Sequence, residues 1–118
     1  ELFANGFGFY PSARLVVTPE QGREMAEALG DHQVVVLKNH GIAVATATVQ
    51  DSVFLAVSFD RSLRMQMAAA QLGPVDPISP DEVRMMVEYF DRSYQGRVQT
   101  TFDYLLRKLE RERPGMAR

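Results

Sequence analysis

The chain has no cysteine and no tryptophan among its 118 residues, and only two histidines. Without cysteine it forms no disulfide and offers no thiolate as nucleophile or ligand, a composition that suits a reducing compartment. Lys and Arg number 13 against 15 Asp and Glu, for a net charge of −2. That balance lacks the basic footprint of a nucleic-acid binder and any general attraction to anionic membranes. No apolar run approaches the roughly 18 residues of a membrane span. The opening ELFANGFGFYPSARL has neither the basic start nor the continuous apolar centre of a signal peptide. Cytoplasmic localisation is the resulting expectation. The sequence also begins without methionine, on loop-like residues, and reads as a fragment or processed part of a longer protein.

Hydrophobic residues make up 46% of the chain and charged residues 24%, the ordinary proportions of one folded domain or a piece of one. Ala4 to Ala13 alternates glycine with phenylalanine and reads as an irregular opening segment or an edge strand. The β-branched run Arg14 to Thr18 predicts a strand. Thr18, Pro19 and Gln21 then have the spacing of a capping box with proline at the first helical position, and Gly30 ends that helix. Val34 to Leu37 is apolar on both faces, as in a strand covered on both sides. Ile42 to Thr46 follows after four residues, too few for a parallel crossover, so the two strands pair antiparallel. Asn39 and Gly41 suit the positive φ of the intervening turn.

A long helix is expected from Thr48 to about Leu72, with Val49, Val53, Ala56, Leu63, Met67 and Ala70 at helical spacing. Ser79, Pro80 and Glu82 start another helix, with Val83, Met86, Val87 and Phe90 on one face, and Tyr94-Gln95-Gly96 ends it. A last helix carries Phe102, Leu105, Leu106 and Leu109. Three strands with this many helices cannot make an independent sheet covered on both faces, so strands from elsewhere are expected to complete it.

Few side chains stand out chemically. His40, at the hairpin tip, reads on position alone as an exposed turn residue or as a metal ligand, since neutral imidazole is a common ligand of zinc. His32 reads as a surface loop residue, and the two histidines do not make a site by themselves. Asp60 interrupts an apolar stripe; it either reaches solvent at the stripe's edge or pairs with Arg14 or Arg97. The six methionines read as core filling. The tail RKLERERPGMAR mixes signs at helical spacing, as a solvated face does.

The stretch ALGDHQVVVLKNHGIAVATATVQDSVFLAVSFDRSLRMQ resembles the class II aldolase and adducin-head family. The counterparts are Leu29-Gly30, the strand Val34–Leu37, Asn39-His40-Gly41, the strand Ile42–Thr46, and the helix with Ala56, Asp60 and Gln66. Asp60 replaces a usual Glu, and Asp51-Ser52 a usual Glu-Ala. The resemblance covers most of Arg14 to Leu72.

It implies a three-layer α/β/α domain with a central, largely antiparallel sheet, of which residues 1–118 are the C-terminal part. It implies a lyase that breaks a C–C bond in a small hydroxy or keto acid or a sugar phosphate, by retro-aldol cleavage or decarboxylation through a metal-stabilised enediolate. The metal would be a divalent ion, zinc first and manganese or a similar ion as alternative. His40 would be one of three histidine ligands, the other two and a catalytic acid lying upstream. The catalytic residues are thus unknown from this chain, and the isolated fragment is expected to be inactive. Partners implied are a small-molecule substrate and other copies of the chain, commonly in a tetramer. A tyrosine near the C-terminus assists proton transfer in some relatives; that role is not carried onto Tyr94 or Tyr104. The alternative is a metal-free assembly module like the adducin head.

Overall fold

Strand β2, Val34–Leu37, is the centre of a three-stranded sheet. The computed structural model describes residues 2–116. On one side β2 pairs with β1, Gly8–Tyr10, in parallel, with Gly8 opposite Val35 and Tyr10 opposite Leu37. On the other it pairs antiparallel with β3, Gly41–Val44, with Val34 opposite Val44 and Leu37 opposite Gly41. The hairpin is as the sequence predicts, whereas the sheet is mixed and not largely antiparallel in this part of the fold. Among the described residues β1 and β3 are both edges.

The parallel pair needs a crossover, and helix α1, Pro19–Leu29, supplies it. The Thr18 and Gln21 capping box forms as expected, with proline in the first turn; Gly30 follows the helix at φ 55°. α1 lies so close to β1 that a Cβ on Gly8 would meet Ala28 O at 2.1 Å. The Tyr10 hydroxyl donates to Glu24 Oε2 at 3.0 Å, fastening the same strand to the helix. Burial and then the Glu24 carboxylate raise the pKa of that hydroxyl above its ordinary value.

The expected strand Arg14 to Thr18 does not form. Leu15, Val16 and Val17 are exposed in an irregular connection from β1 to the start of α1. Their β-branched character yields to topology: the strand beside β2 is the one whose glycine lets α1 approach. Of the two readings of Ala4 to Ala13, the edge strand is the observed one.

Helix α2, Val49–Ala70, departs from the sheet after β3. Its buried residues are Phe54, Leu55 and Phe59, and not the expected stripe; Val49, Leu63 and Met67 are exposed. Phe59 receives the edges of Phe3 and Phe7, with ring centroids 4.9 and 5.2 Å away. Aromatic pairs favour such T-shaped contacts.

Helix α3, Pro80–Asp91, begins at the predicted Ser79 and Glu82 capping box and buries Phe90. It ends earlier than predicted. Tyr94-Gln95-Gly96 forms the first turn of helix α4, Tyr94–Glu112, which buries Val98. Phe54, Phe90 and Val98 form a cluster flanked by Leu2 and Tyr94. The tail of α4 is exposed as expected, with Lys108 and Glu112 4.0 Å apart; Ala117 and Arg118, also part of that stretch, lie outside the described residues. The methionines contradict the core-filling expectation. Met65, Met67, Met85 and Met86 are exposed, because the faces of α2 and α3 that carry them have no partner among the described residues, and Met116 is exposed beyond the end of α4.

The Gly8 approach gives a test of the fold. Gly8→Ala should destabilise the protein by roughly 1–3 kcal/mol, the usual cost of overpacking. Gly22→Ala should be neutral or stabilising, since a Cβ there meets nothing within 4 Å and Ala is the better helix former. Chemical denaturation of both variants measures the difference; equal midpoints would disprove the close packing of α1 on β1.

Candidate functional site

His40 stands at the far end of the β2–β3 hairpin. Its backbone N–H donates to Leu37 O at 3.1 Å and closes a four-residue turn. Asn39 occupies the third position of that turn at φ 54°, a left-handed geometry that asparagine tolerates better than most residues. The Lys38 N–H donates to Tyr10 O at 3.0 Å, so the base of the turn is pinned to β1 as well as to β3. The tip is short and held from both sides. The His40 side chain is exposed there.

A zinc-type site needs three or four donors. Among the described residues no three His, Cys, Asp or Glu side chains come together to hold a metal ion. His40 has the donor chemistry and the exposure for one position in such a shell, and the described residues do not supply the rest. The chain alone therefore does not fit a complete metal centre.

The other singled-out residues lie apart. His32 precedes β2, at the opposite end of the strand from His40, in a loop where it is half-buried and lines an open cleft with Asp31, Asn5 and Gly6. Asp60 is exposed, as its position at the stripe's edge predicts, and accepts a hydrogen bond from Arg64 Nε at 2.8 Å. Such a solvated i,i+4 pair contributes little. Arg14 and Arg97 are not its partners. Arg97 instead lies over the Phe90 ring, 4.7 Å from its centroid, and donates to Ser93 Oγ at 2.9 Å. Tyr104, on α4, is exposed.

A polar cavity of about 430 Å³ opens at the base of the hairpin, away from His40. Asn5, Gln33, Thr46, Asp51, Asp91 and Tyr94 are among its lining residues. Asp51 belongs to the first turn of α2, where its backbone N–H donates to Thr48 Oγ1 and its Oδ2 accepts from the same hydroxyl. Its Oδ1 is buried without a hydrogen-bond partner among the described residues. Tyr94 packs edge-on against Phe54 at 5.8 Å. Burial, and then the nearby Asp51 carboxylate, push its hydroxyl up to about 12. Sequence reasoning did not find this pairing: Asp51 enters it only as the counterpart of a usual Glu and Tyr94 only at a helix end, and the packing of α4 against α2 brings them together.

Residues 3–67, just over half of the chain, match the family described as Class II Aldolase and Adducin N-terminal domain. The match takes in the glycine- and phenylalanine-rich opening, earlier than Arg14, where the resemblance begins in the sequence. A 3,4-dihydroxyphthalate decarboxylase from Rhodococcus jostii (strain RHA1) is 36% identical over 72 residues, covering 61% of this chain and 30% of the relative. A decarboxylase of the same name from Arthrobacter keyseri is 30% identical over 108 residues, covering 92% of this chain and 43% of the relative. The meiotically up-regulated gene 14 protein of Schizosaccharomyces pombe (strain 972 / ATCC 24843) is 30% identical over 94 residues, covering 76% and 37%. The chain thus spans less than half the length of the curated relatives it matches. Among the described residues no helix is long and apolar enough to cross a membrane.

The Tyr94 environment predicts a pH response. The fold favours the neutral phenol, so the stability this contributes is complete below the ordinary value of 10.0 and is lost as pH rises towards about 12. In ultraviolet titration, the difference between the parent protein and Tyr94→Phe should show a phenol ionising near pH 12. Asp51→Asn should lower that midpoint without restoring it fully, because burial is the larger cause. A Tyr94 midpoint near 10 in the parent would refute the buried environment.

Proposed function

Because the chain belongs to the class II aldolase and adducin N-terminal domain family, we propose that it is the C-terminal part of a metal-dependent lyase domain. The reaction proposed is decarboxylation of a small hydroxylated carboxylic acid. The choice of decarboxylation over aldol cleavage is supported by relatives named 3,4-dihydroxyphthalate decarboxylase. The observation that carries the reading is the position of Asn39-His40-Gly41: inside the family-matched segment, at the tip of the β2–β3 hairpin, whose base is also bonded to β1.

In this reading His40 supplies one imidazole ligand to a divalent cation, zinc or a similar ion, and the remaining ligands and the catalytic acid come from polypeptide outside this chain. A bound cation supplies positive charge beside the oxygen on which electrons from the broken C–C bond collect. The hairpin's part is positional. Two ladders and a closed turn fix the direction of the imidazole, and a ligand shell tolerates little error in direction. The two open edges of the sheet support further strands from the same polypeptide, which would complete a three-layer arrangement. A small-molecule substrate, assembly of several copies and action in the cytoplasm belong to the same proposal.

The test uses the whole protein. His40→Ala should lower its zinc or manganese content by elemental analysis and leave its circular dichroism unchanged. Release of CO2 from 3,4-dihydroxyphthalate, or from a related hydroxylated acid that the parent accepts, should fall by more than the roughly 10–100-fold typical of losing a ligand's supporting hydrogen-bond partner. Metal content and CO2 release equal to the parent would overturn the assignment of His40. A parent that binds no divalent metal and releases no CO2 would favour a non-catalytic assembly module.

A further inference from the structure

An anchor of the His40 turn lies outside the hairpin, in β1. The Lys38 N–H donates to Tyr10 O at 3.0 Å, and the His40 N–H donates to Leu37 O at 3.1 Å. Leu37 is the residue opposite Tyr10 in the parallel ladder. The first two residues of the turn therefore take their place on this side from Tyr10. Yet Tyr10 ends a strand of three residues, and Pro11 follows it. Proline has no N–H to extend the ladder, and residues 11–18 run on as an irregular connection. The end of a short edge strand frays readily when the backbone alone holds it.

The side chain supplies a second hold. Tyr10 is 5% exposed, and its hydroxyl donates to Glu24 Oε2 at 3.0 Å. A bond to a charged acceptor is stronger than one between neutral groups. Glu24 lies in the middle of α1, which is also fixed against the other end of β1 through Gly8. The helix thus holds the strand at both ends, by close backbone contact at Gly8 and by a hydroxyl–carboxylate bond at Tyr10. From α1 to the tip the bonded path runs Glu24, Tyr10, Lys38, and then the turn that His40 closes.

We propose that Tyr10, held by Glu24, is a positioning residue for His40. It acts through the backbone of the turn, by fixing the base from which the imidazole projects. A ligand shell tolerates little error in direction, so a base free to shift weakens the shell and leaves the fold in place. The inference rests on the reading of His40 as a ligand, and adds to it the residues of this chain that aim the ring. Nothing local in the sequence joins them: Tyr10 and Glu24 are 14 residues apart, and only the crossover brings them together.

The test uses the whole protein, stripped of metal and titrated with zinc. Tyr10→Phe keeps the buried ring and loses the bond. Glu24→Ala loses the same bond from the exposed surface of α1, where alanine favours the helix, and Glu24→Gln keeps an acceptor. Zinc affinity should fall by about tenfold in Tyr10→Phe and in Glu24→Ala, the low end of what losing a ligand's supporting partner costs. The double variant should bind no more weakly than either single one, because both remove one interaction. Glu24→Gln should bind as the parent does. Amide hydrogen exchange of the metal-free protein gives a readout apart from the metal: the Lys38 N–H should exchange faster in Tyr10→Phe and Glu24→Ala, while the amides of α2 keep their rates. Parent-like zinc affinity in both variants, or an unchanged Lys38 rate, would overturn the positioning role and leave His40 as a ligand. Equal losses in Glu24→Gln and Glu24→Ala would also overturn it, since the hydrogen bond would not be the cause. A parent that binds no zinc would instead overturn the ligand reading of His40, and the positioning role with it.

Discussion

The hydrogen bonding of β2 on both its edges is the constraint on which the rest of the structure depends. Parallel pairing to β1 forces a crossover, and α1 provides it; antiparallel pairing to β3 forces the tight turn that holds His40. Val34 and Val35, the two most buried residues of the strand, are 2% and 1% exposed, so a slip of the strand by one residue would exchange the faces on which they pack. The Lys38 N–H bond to Tyr10 O carries this control beyond the strand and into the turn. The direction of the tip is thus set by the sheet.

Around that centre the chain is unevenly packed. One cluster, Phe54 with Phe90 and Val98, ties α2, α3 and α4 together near the base of the hairpin. Another places Phe3 and Phe7 around Phe59. Between them they account for much of the buried apolar surface, and both lie on the proximal half of α2. Beyond Phe59 the helix has no tertiary support among the described residues. Isolated helix ends gain little stability from propensity alone, so this half of the helix calls for neighbours that the described residues do not supply. The open sheet edges express the same need in hydrogen bonds.

The two polar features occupy opposite ends of the hairpin and differ in character. His40 is exposed and directed by backbone bonds. Asp51 and Tyr94 are sheltered, and burial is the larger cause of the raised pKa of the Tyr94 hydroxyl. The positions keep the titration of the phenol separate from the proposed ligand, so a change in one need not disturb the other.

The amino-acid sequence by itself determined the local features whose causes are local. Capping boxes at Thr18 and Ser79 start their helices because the hydrogen bonds span only three residues, and the turn at Asn39 forms because few side chains accept its backbone geometry. The hairpin followed from a gap too short for any other connection, and the family resemblance from the residues framing Asn39-His40-Gly41. The tertiary structure decided what depends on distant neighbours. It chose Gly8–Tyr10 over the more strand-like Arg14–Thr18, because only a glycine admits α1 against the sheet. It buried Phe54 and Phe59 in place of the periodic Leu63 and Met67, because burial follows where partners lie and not spacing alone. It also brought Asp51 to Tyr94, a meeting that no local pattern encodes.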